Sequence, residues 1–449
     1  MIRSDLATAA KVIRGRVQGD PVAFRGLSTD SRNVERGSLF IALRGPRFDG
    51  NRYVADALAQ GAVAALVDRA QPDTGPLLLV DDSRRALGAL GRWWREQVAP
   101  ALVGVTGSNG KTTVKQMLTG ILSGVGRTSA TRGNLNNEIG VPLTLARLRE
   151  DDAFAVVEMG ANHVGEIAYL ASLARPDVAV VTNARAAHLE GFGSLEQVAR
   201  GKGELFESLA PDGVAVINAD DPFAALWLQL ADGRPVLDFG IDSPARIRGT
   251  MLDNAGRCRI SLAGESLEIT LPVPGRHNLH NALAAAAAAQ ALRVPAAAIA
   301  AGLESFEPPE RRLRLRDATG GARLLDDSYN ANPASLEAGV GVLVAMPEEP
   351  WLALGDMAEL GEQAAELHFE AGRMARDHGV RRLYGFGPLS AHAVRGFGQG
   401  ARHFAELEDL VAALEQDLTR GVALLVKGSR SMGMEIVVER LCRPGMEGA

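Results

Sequence analysis

Residues 104–113 read GVTGSNGKTT, with an apolar stretch (Ala101 to Val105) before them and a helical stretch (Val114 to Leu122) after. No other feature constrains the fold as strongly. Glycines let a loop backbone turn so that its N–H groups converge on an anion. The first turn of the helix adds unpaired donors and a partial positive charge. Strand, glycine-rich loop and helix in this order are the context a phosphate-binding loop requires. The strict pattern G-x-x-x-x-G-K-[ST] misses by one position: Val105 stands where its first glycine belongs, and the glycines are Gly104, Gly107 and Gly110. Thr106, Gly107, Ser108, Asn109, Gly110, Lys111, Thr112 and Thr113 are the expected phosphate cradle. Lys111 would reach the β- and γ-phosphates and Thr112 a magnesium ion. No N-K-x-D guanine signature occurs, which favours ATP over GTP.

Such a loop implies a parallel α/β sheet, and the flanking sequence agrees. Apolar runs at 101–105, 153–157, 178–182 and 213–217 alternate with helical stretches. Continuous apolar strands between helices belong to a sheet covered on both faces. Upstream, Ser38–Leu43 and Val63–Val67 read as strands, and 54–59 and 83–97 as helices. After a break at 308–312 (PPERR), strands resume near 323–326, 351–354, 380–384 and 421–426. They suggest a second, smaller doubly wound unit. At about 150 residues per domain, 449 residues allow roughly three domains. The expected boundaries are 1–82 (mixed α/β), 83–311 (parallel sheet with the phosphate loop) and 312–449 (Rossmann-like).

Composition narrows the function. Lys plus Arg number 48 and Asp plus Glu 54, a net charge of −6. There is no overall basic field for nucleic acid. Two cysteines, Cys258 and Cys442, make neither a disulfide framework nor a four-thiolate zinc site. The most apolar stretch, Ala282 to Ala301, is interrupted by Gln290, Arg293 and Pro295. It reads as one tightly packed helix, not a membrane span. The N-terminus lacks the apolar core of a signal peptide. A cytoplasmic monomer with no nucleic-acid or membrane partner is expected.

Glu158 ends the strand 153–157. A carboxylate at the carboxyl end of a parallel strand, beside a phosphate loop, is where a magnesium ligand belongs. A solvated strand-end glutamate is the plain alternative. His188 follows the next strand at the same edge, and Lys202, in RGKGEL, reads as lying at a helix start. Taken alone, either is an ordinary surface residue.

Five blocks lift these residues above that level: TGSNGKTT (106–113), EMGANH (158–163), HLEGFGSLEQVARGKGE (188–204), GRHNLHNALAA (275–285) and DDSYNANP (326–333). In this order they resemble the Mur ligases, ATP-dependent peptide synthetases of cell-wall precursor assembly. GNLNNEIGVPLTLA (133–146), EMGANHVGEI, DSYNANP and LGDMAELG (354–361) are most similar to the branch that adds D-alanyl-D-alanine (D-Ala-D-Ala) to UDP-N-acetylmuramoyl-tripeptide (UDP-MurNAc-tripeptide). The diamino-acid-adding branch often carries D-N-P-R. Here the only Asn-Pro is Asn332-Pro333, followed by Ala334. A diamino-acid- or glutamate-adding ligase stays the neighbouring alternative, and a nucleotide-switched binding protein the more distant one.

The resemblance implies ATP and two Mg²⁺ ions. Lys111 and Thr112 would hold the phosphates and first metal, Glu158 a metal, and His188 a second metal. Lys202 matches the lysine that some members carbamylate, which would make it a metal ligand too. Carbamylation turns a cation into an anion and needs a neutral amine, hence a lowered pKa. Gly201 stands where relatives often have Ala. Asn278 and Asn281 match nucleotide-contacting asparagines, and Asn278 could equally cap the alanine-rich helix. Arg312 matches an arginine on the γ-phosphate, with Arg311 one register away. Asp327 matches a residue at the ATP ribose or phosphates. Asn136, Asn162, His163, Tyr329, Asn330 and Asn332 fall in the motifs that would face the substrates. The catalytic set is thus Lys111, His188, Lys202 and Arg312. In the N-terminal module, implied to bind UDP, LSTDSRNVERGSLFIALRG (27–45) offers Ser31 and Arg32 for uridine or diphosphate, or simply a capped turn. The expected reaction runs through an acyl phosphate, and sites on three modules imply closure around ATP.

Overall fold

The computed structural model describes residues 1–46, 48–71, 75–187, 189–253, 255–262 and 264–442. Among them, three main sheets follow one another along the chain. The first is five-stranded, in the order Arg16–Gln18, Leu77–Leu79, Ala64–Val67, Leu39–Ile41, Leu27–Ser28. The helix Ser83–Val98 leads into the central sheet.

That sheet shows why continuous apolar strands were needed. In Ala101–Thr106, Leu102 faces one core while Val103 and Val105 face another. Its parallel neighbours, Phe154–Glu158 and Val178–Val181, divide the same way: Ala155, Val157, Ala179 and Val181 against Val156, Val178 and Val180. Both faces are therefore covered, as parallel pairing demands. From Ala101–Thr106 the chain first visits Thr128–Ala130 and Phe154–Glu158 on one side, then Val178–Val181 on the other. The phosphate loop thus leaves the sheet where the winding reverses, the place where open α/β sheets bind ligands.

Pairing is parallel through Ile247–Met251. Beyond it the structure adds two antiparallel strands, Arg257–Leu262 and Glu265–Thr270, outside the apolar runs named above. The third sheet runs Arg314–Asp317, Arg323–Asp327, Val422–Lys427, Glu349–Gly355, Arg382–Phe386, Ala401–Phe404. Its strands are parallel after the first. Asp327 and Lys427 end adjacent strands at one carboxyl edge.

The alanine-rich stretch is two helices, not one: Arg276–Ala291 and Ala296–Glu304. Arg293 takes φ 60° and Pro295 caps the second helix. A left-handed residue followed by a ring without an N–H stops the first helix. Residues 282–289 are at most 1% exposed. Small side chains let this backbone lie close to the sheet and to the helix Lys111–Ser123, against which it packs. Among the described residues no helix is long and apolar enough to cross a membrane.

Candidate active site

The helix Lys111–Ser123 begins at Gly110, which has φ 82°, and no side chain caps it. Its first N–H groups are left for a ligand. A Cβ at residue 110 would come 2.3 Å from Asn281 Oδ1, so glycine is required by both conformation and space. The loop is braced from the next strand: Asn109 N–H donates to Asn183 Oδ1 at 3.0 Å, and Thr182 Oγ1 donates to the Asn109 carbonyl at 2.6 Å. Lys111 Nζ folds back onto the carbonyls of Gly107 (2.7 Å) and Ser108 (3.2 Å). Burial lowers its pKa to about 8; the Glu158 charge opposes that shift and Arg312 adds to it.

Behind the loop sits a buried charge cluster. Glu158 is 3% exposed. Its Oε2 meets Lys115 Nζ at 3.0 Å and accepts from Thr112 Oγ1 at 3.0 Å, while Oε1 accepts from Asn136 Nδ2 at 2.8 Å. Burial by itself would raise this carboxyl, but the Lys115 and Lys111 charges and the Asn136 hydrogen bond hold it below its ordinary value. Lys115 was not found from sequence. It lies one helical turn after Lys111, on the same face, and that spacing was the available signal. Thr112 and Glu158, side by side in a hydrogen bond, offer hard oxygens only, a donor chemistry that suits Mg²⁺.

Replacing Glu158 by Gln should leave Lys115 as an uncompensated buried cation. The expected loss is about 3 kcal/mol of folding stability, read from the urea-unfolding midpoint at constant m-value.

Lys202 is not at a helix start; it is central in the helix Leu195–Glu207 and 2% exposed. No carboxylate among the described residues pairs with it, and its ammonium lies 5.5 Å from the Phe192 ring centre. Burial, followed by the nearby Lys111 charge, lowers its pKa to about 7. Gly201 has a steric reason here: a Cβ would sit 2.6 Å from Phe192 Cε1. His188 lies outside the described residues. Among those residues no group of three or more His, Cys, Asp or Glu is arranged to hold a metal.

The C-terminal sheet closes over the loop. Arg312 Nη2 donates to Thr112 Oγ1 at 3.2 Å and its guanidinium lies 4.3 Å from the Tyr329 ring centre. Arg311 points elsewhere, paired with Glu435 at 2.9 Å. Asn332 caps the helix Pro333–Val344 and exchanges hydrogen bonds with Asn109 across the modules, at 2.8 and 3.3 Å. Asp327 pairs with Lys427. Burial raises the Asp327 carboxyl, and the Lys427 charge counteracts it.

Most of these groups share one cleft of about 1020 Å³, but Lys115, Arg311 and the predicted site residue Lys202 do not line it. It is lined by Ser108 through Thr113, Asn136, Glu158, Asn162, Asn278, Asn281, Arg312, Asp327, Tyr329, Asn330 and Asn332. Other expected residues do not line it. Thr106 lies beneath, its hydroxyl bound to the Met159 carbonyl at 2.8 Å, and Gly107 packs on Thr182. His163 is exposed and bonded to Glu166 at 3.1 Å. Ser31 and Arg32 are in the N-terminal module, where Asp30 accepts from the Arg32 backbone and guanidinium at 2.8–3.0 Å. Asn278 is not the helix cap; Gly275 is, and Asn278 donates to the Pro274 carbonyl at 3.2 Å.

His277 also lines the cleft and was missed from sequence. Its Nε2 is buried with no hydrogen-bond partner among the described residues, a group left for a ligand. Burial, then the Lys427 charge, lowers its pKa to about 4. The folded pKa lies below the unfolded value of about 6.5, so between these values the unfolded chain binds more protons. Stability should therefore fall as pH drops from about 6.5 to about 4. In His277→Asn, denaturant midpoints should fall less over that window.

Family models cover the chain in three pieces: Mur ligase family catalytic domain (23–92), Mur ligase middle domain (105–289) and Mur ligase glutamate ligase domain (311–430). A UDP-N-acetylmuramoyl-tripeptide–D-alanyl-D-alanine ligase of Escherichia coli K12 is 41% identical over 99% of this chain and 100% of its own length. The enzyme of the same name from Haemophilus influenzae is 39% identical over 98% and 99%. Among solved structures, MurF from Acinetobacter baumannii superposes with TM-score 0.92 at 33% identity, covering 98% of both chains. A MurF ligase from Thermotoga maritima in complex with ADP gives 0.83 at 28%, covering 93% of this chain and 96% of that one.

Proposed function

The chain belongs to the Mur ligase family, and on that premise we propose that it joins D-Ala-D-Ala to UDP-MurNAc-tripeptide, converting ATP to ADP and phosphate and making UDP-MurNAc-pentapeptide for peptidoglycan. One observation carries the mechanism: Arg312 of the C-terminal module donates to Thr112, which donates to Glu158, and the Lys111 charge of the central module lies close enough to feel both Arg312 and Glu158. Amide formation from a carboxylate first requires its activation, and carboxylate and triphosphate repel. Cations from two modules meeting at one point reduce that repulsion.

The tripeptide carboxylate attacks the γ-phosphorus and the bond to ADP breaks, leaving an acyl phosphate. The dipeptide amine then attacks the acyl carbon, loses its proton, and phosphate departs. Lys111 and the free N–H groups after Gly110 hold the β- and γ-phosphates, and Arg312 holds the γ-phosphate through transfer. His277, Asn278, Asn281 and Asp327 border the nucleotide. Thr112 and Glu158 would hold one Mg²⁺, with His188 and a carbamylated Lys202 for a second. Magnesium, when bound, neutralises phosphate charge. Ser31 and Arg32 are assigned to the UDP moiety, and Asn136, Asn162, His163, Tyr329, Asn330 and Asn332 to the tripeptide and dipeptide. The domain division at 82/83 and 311/312, a monomeric state and a cytoplasmic location are part of the same reading.

Phosphate release should require UDP-MurNAc-tripeptide and D-Ala-D-Ala together. Release with nucleotide alone would make the protein an ATPase, and release with a single diamino acid or glutamate would move it to another branch. ATP and UDP-tripeptide should also compact the chain in small-angle scattering; identical profiles with and without them would remove closure from the mechanism.

A further inference from the structure

A dipeptide entering this cleft brings a carboxylate into a space that already holds a triphosphate and the acidic tripeptide. It needs a cation of its own, and most cationic side chains lining the cleft are engaged. Arg185 pairs with Asp221 at 2.7 Å and Lys427 with Asp327. Lys111 and Arg312 face the phosphate loop. Arg430 differs: its guanidinium makes no hydrogen bond or ion pair among the described residues, and its contact is the Tyr329 ring, 5.3 Å from the ring centre. It follows the strand Val422–Lys427 at the carboxyl edge of the C-terminal sheet and lines the cleft.

Tyr329 limits the spacing. Arg312 lies 4.3 Å from the centre of the ring that Arg430 also contacts, so the two guanidinium groups are held within the sum of two short distances. An extended two-residue peptide spans about 7 Å. A dipeptide with its carboxylate on Arg430 is therefore long enough for its amine to reach the γ-phosphate held by Arg312. Guanidinium is suited to this task because its fork matches a carboxylate in two parallel hydrogen bonds.

We infer that Arg430 anchors the terminal carboxylate of the incoming dipeptide and so selects for a free acid. This rests on the ligase reading of the substrates. The test is steady-state kinetics of the full-length enzyme with D-Ala-D-Ala and with D-alanyl-D-alaninamide, for wild type, Arg430→Met and Arg430→Lys. Wild type should show a KM about 10- to 100-fold higher for the amide, the range of a charged hydrogen-bonded contact. Arg430→Met should raise the D-Ala-D-Ala KM by a similar factor and treat acid and amide alike, with the ATP KM moving much less. Arg430→Lys should recover part of the preference. A Met variant that keeps the wild-type preference for the acid, or that mainly raises the ATP KM, overturns the inference and leaves the ligase reading standing. A wild type that does not couple D-Ala-D-Ala to UDP-tripeptide overturns both.

Discussion

Lys111→Ala is expected to lose ligation by about 10³-fold in kcat/KM. Lys111 is the cation inside the phosphate loop, partly buried and held toward the loop carbonyls. Its lowered pKa, about 8, records how little water screens it. An incoming triphosphate gains correspondingly more from meeting it. The loss should appear in kcat as well as in the ATP KM, since charge on the γ-phosphate redistributes during transfer. Circular dichroism and an unchanged cooperative unfolding transition would show that the variant is folded. Ligation within tenfold of wild type would remove the loop from the mechanism.

The second large effect concerns Lys202. Its alanine variant should lose activity by about 10²-fold or more, the scale of a lost metal-site ligand or its support. Short carboxylates such as acetate or formate should restore part of it. The reasoning is local: a buried ammonium with no anionic partner among the described residues is unfavourable, and its pKa near 7 leaves a large fraction neutral. A neutral amine can react with CO₂. At limiting bicarbonate, wild-type activity should therefore rise with pH through about 7, the direction in which the amine deprotonates. Lys202→Ala, assayed with saturating formate, should lack that rise. Wild-type-like activity in Lys202→Ala, or full activity in CO₂-free buffer at pH 6, would contradict carbamylation.

Much of the candidate site was legible because a phosphate-binding loop keeps its residues contiguous. The loop, Glu158 at its strand end and the DDSYNANP block each sit on one element edge, so local reading suffices. Lys202 was located on the right segment but misread as a helix start. Its flanking glycines, Gly201 and Gly203, are small to admit Phe192, Trp227 and Leu230 against the helix. Lys115, His277 and Arg430 went unnoticed for a different reason. Their importance depends on what they meet across the fold (Glu158, the cleft interior, Tyr329), and sequence spacing carries little of that. The choice between Arg311 and Arg312 was likewise a matter of register: in three dimensions one faces Glu435 and the other Thr112. The antiparallel strands at 257–270 read RCRISL and ESLEIT, whose alternation is clear only once the sheet gives one face to bury.

The most direct test of the account is isotope transfer. UDP-MurNAc-tripeptide labelled with ¹⁸O in its terminal carboxylate, incubated with the enzyme, ATP and D-Ala-D-Ala, should yield inorganic phosphate carrying one ¹⁸O for each amide bond formed. The label moves because the carboxylate oxygen that attacks the γ-phosphorus leaves with it. Unlabelled phosphate alongside amide product would contradict activation through an acyl phosphate.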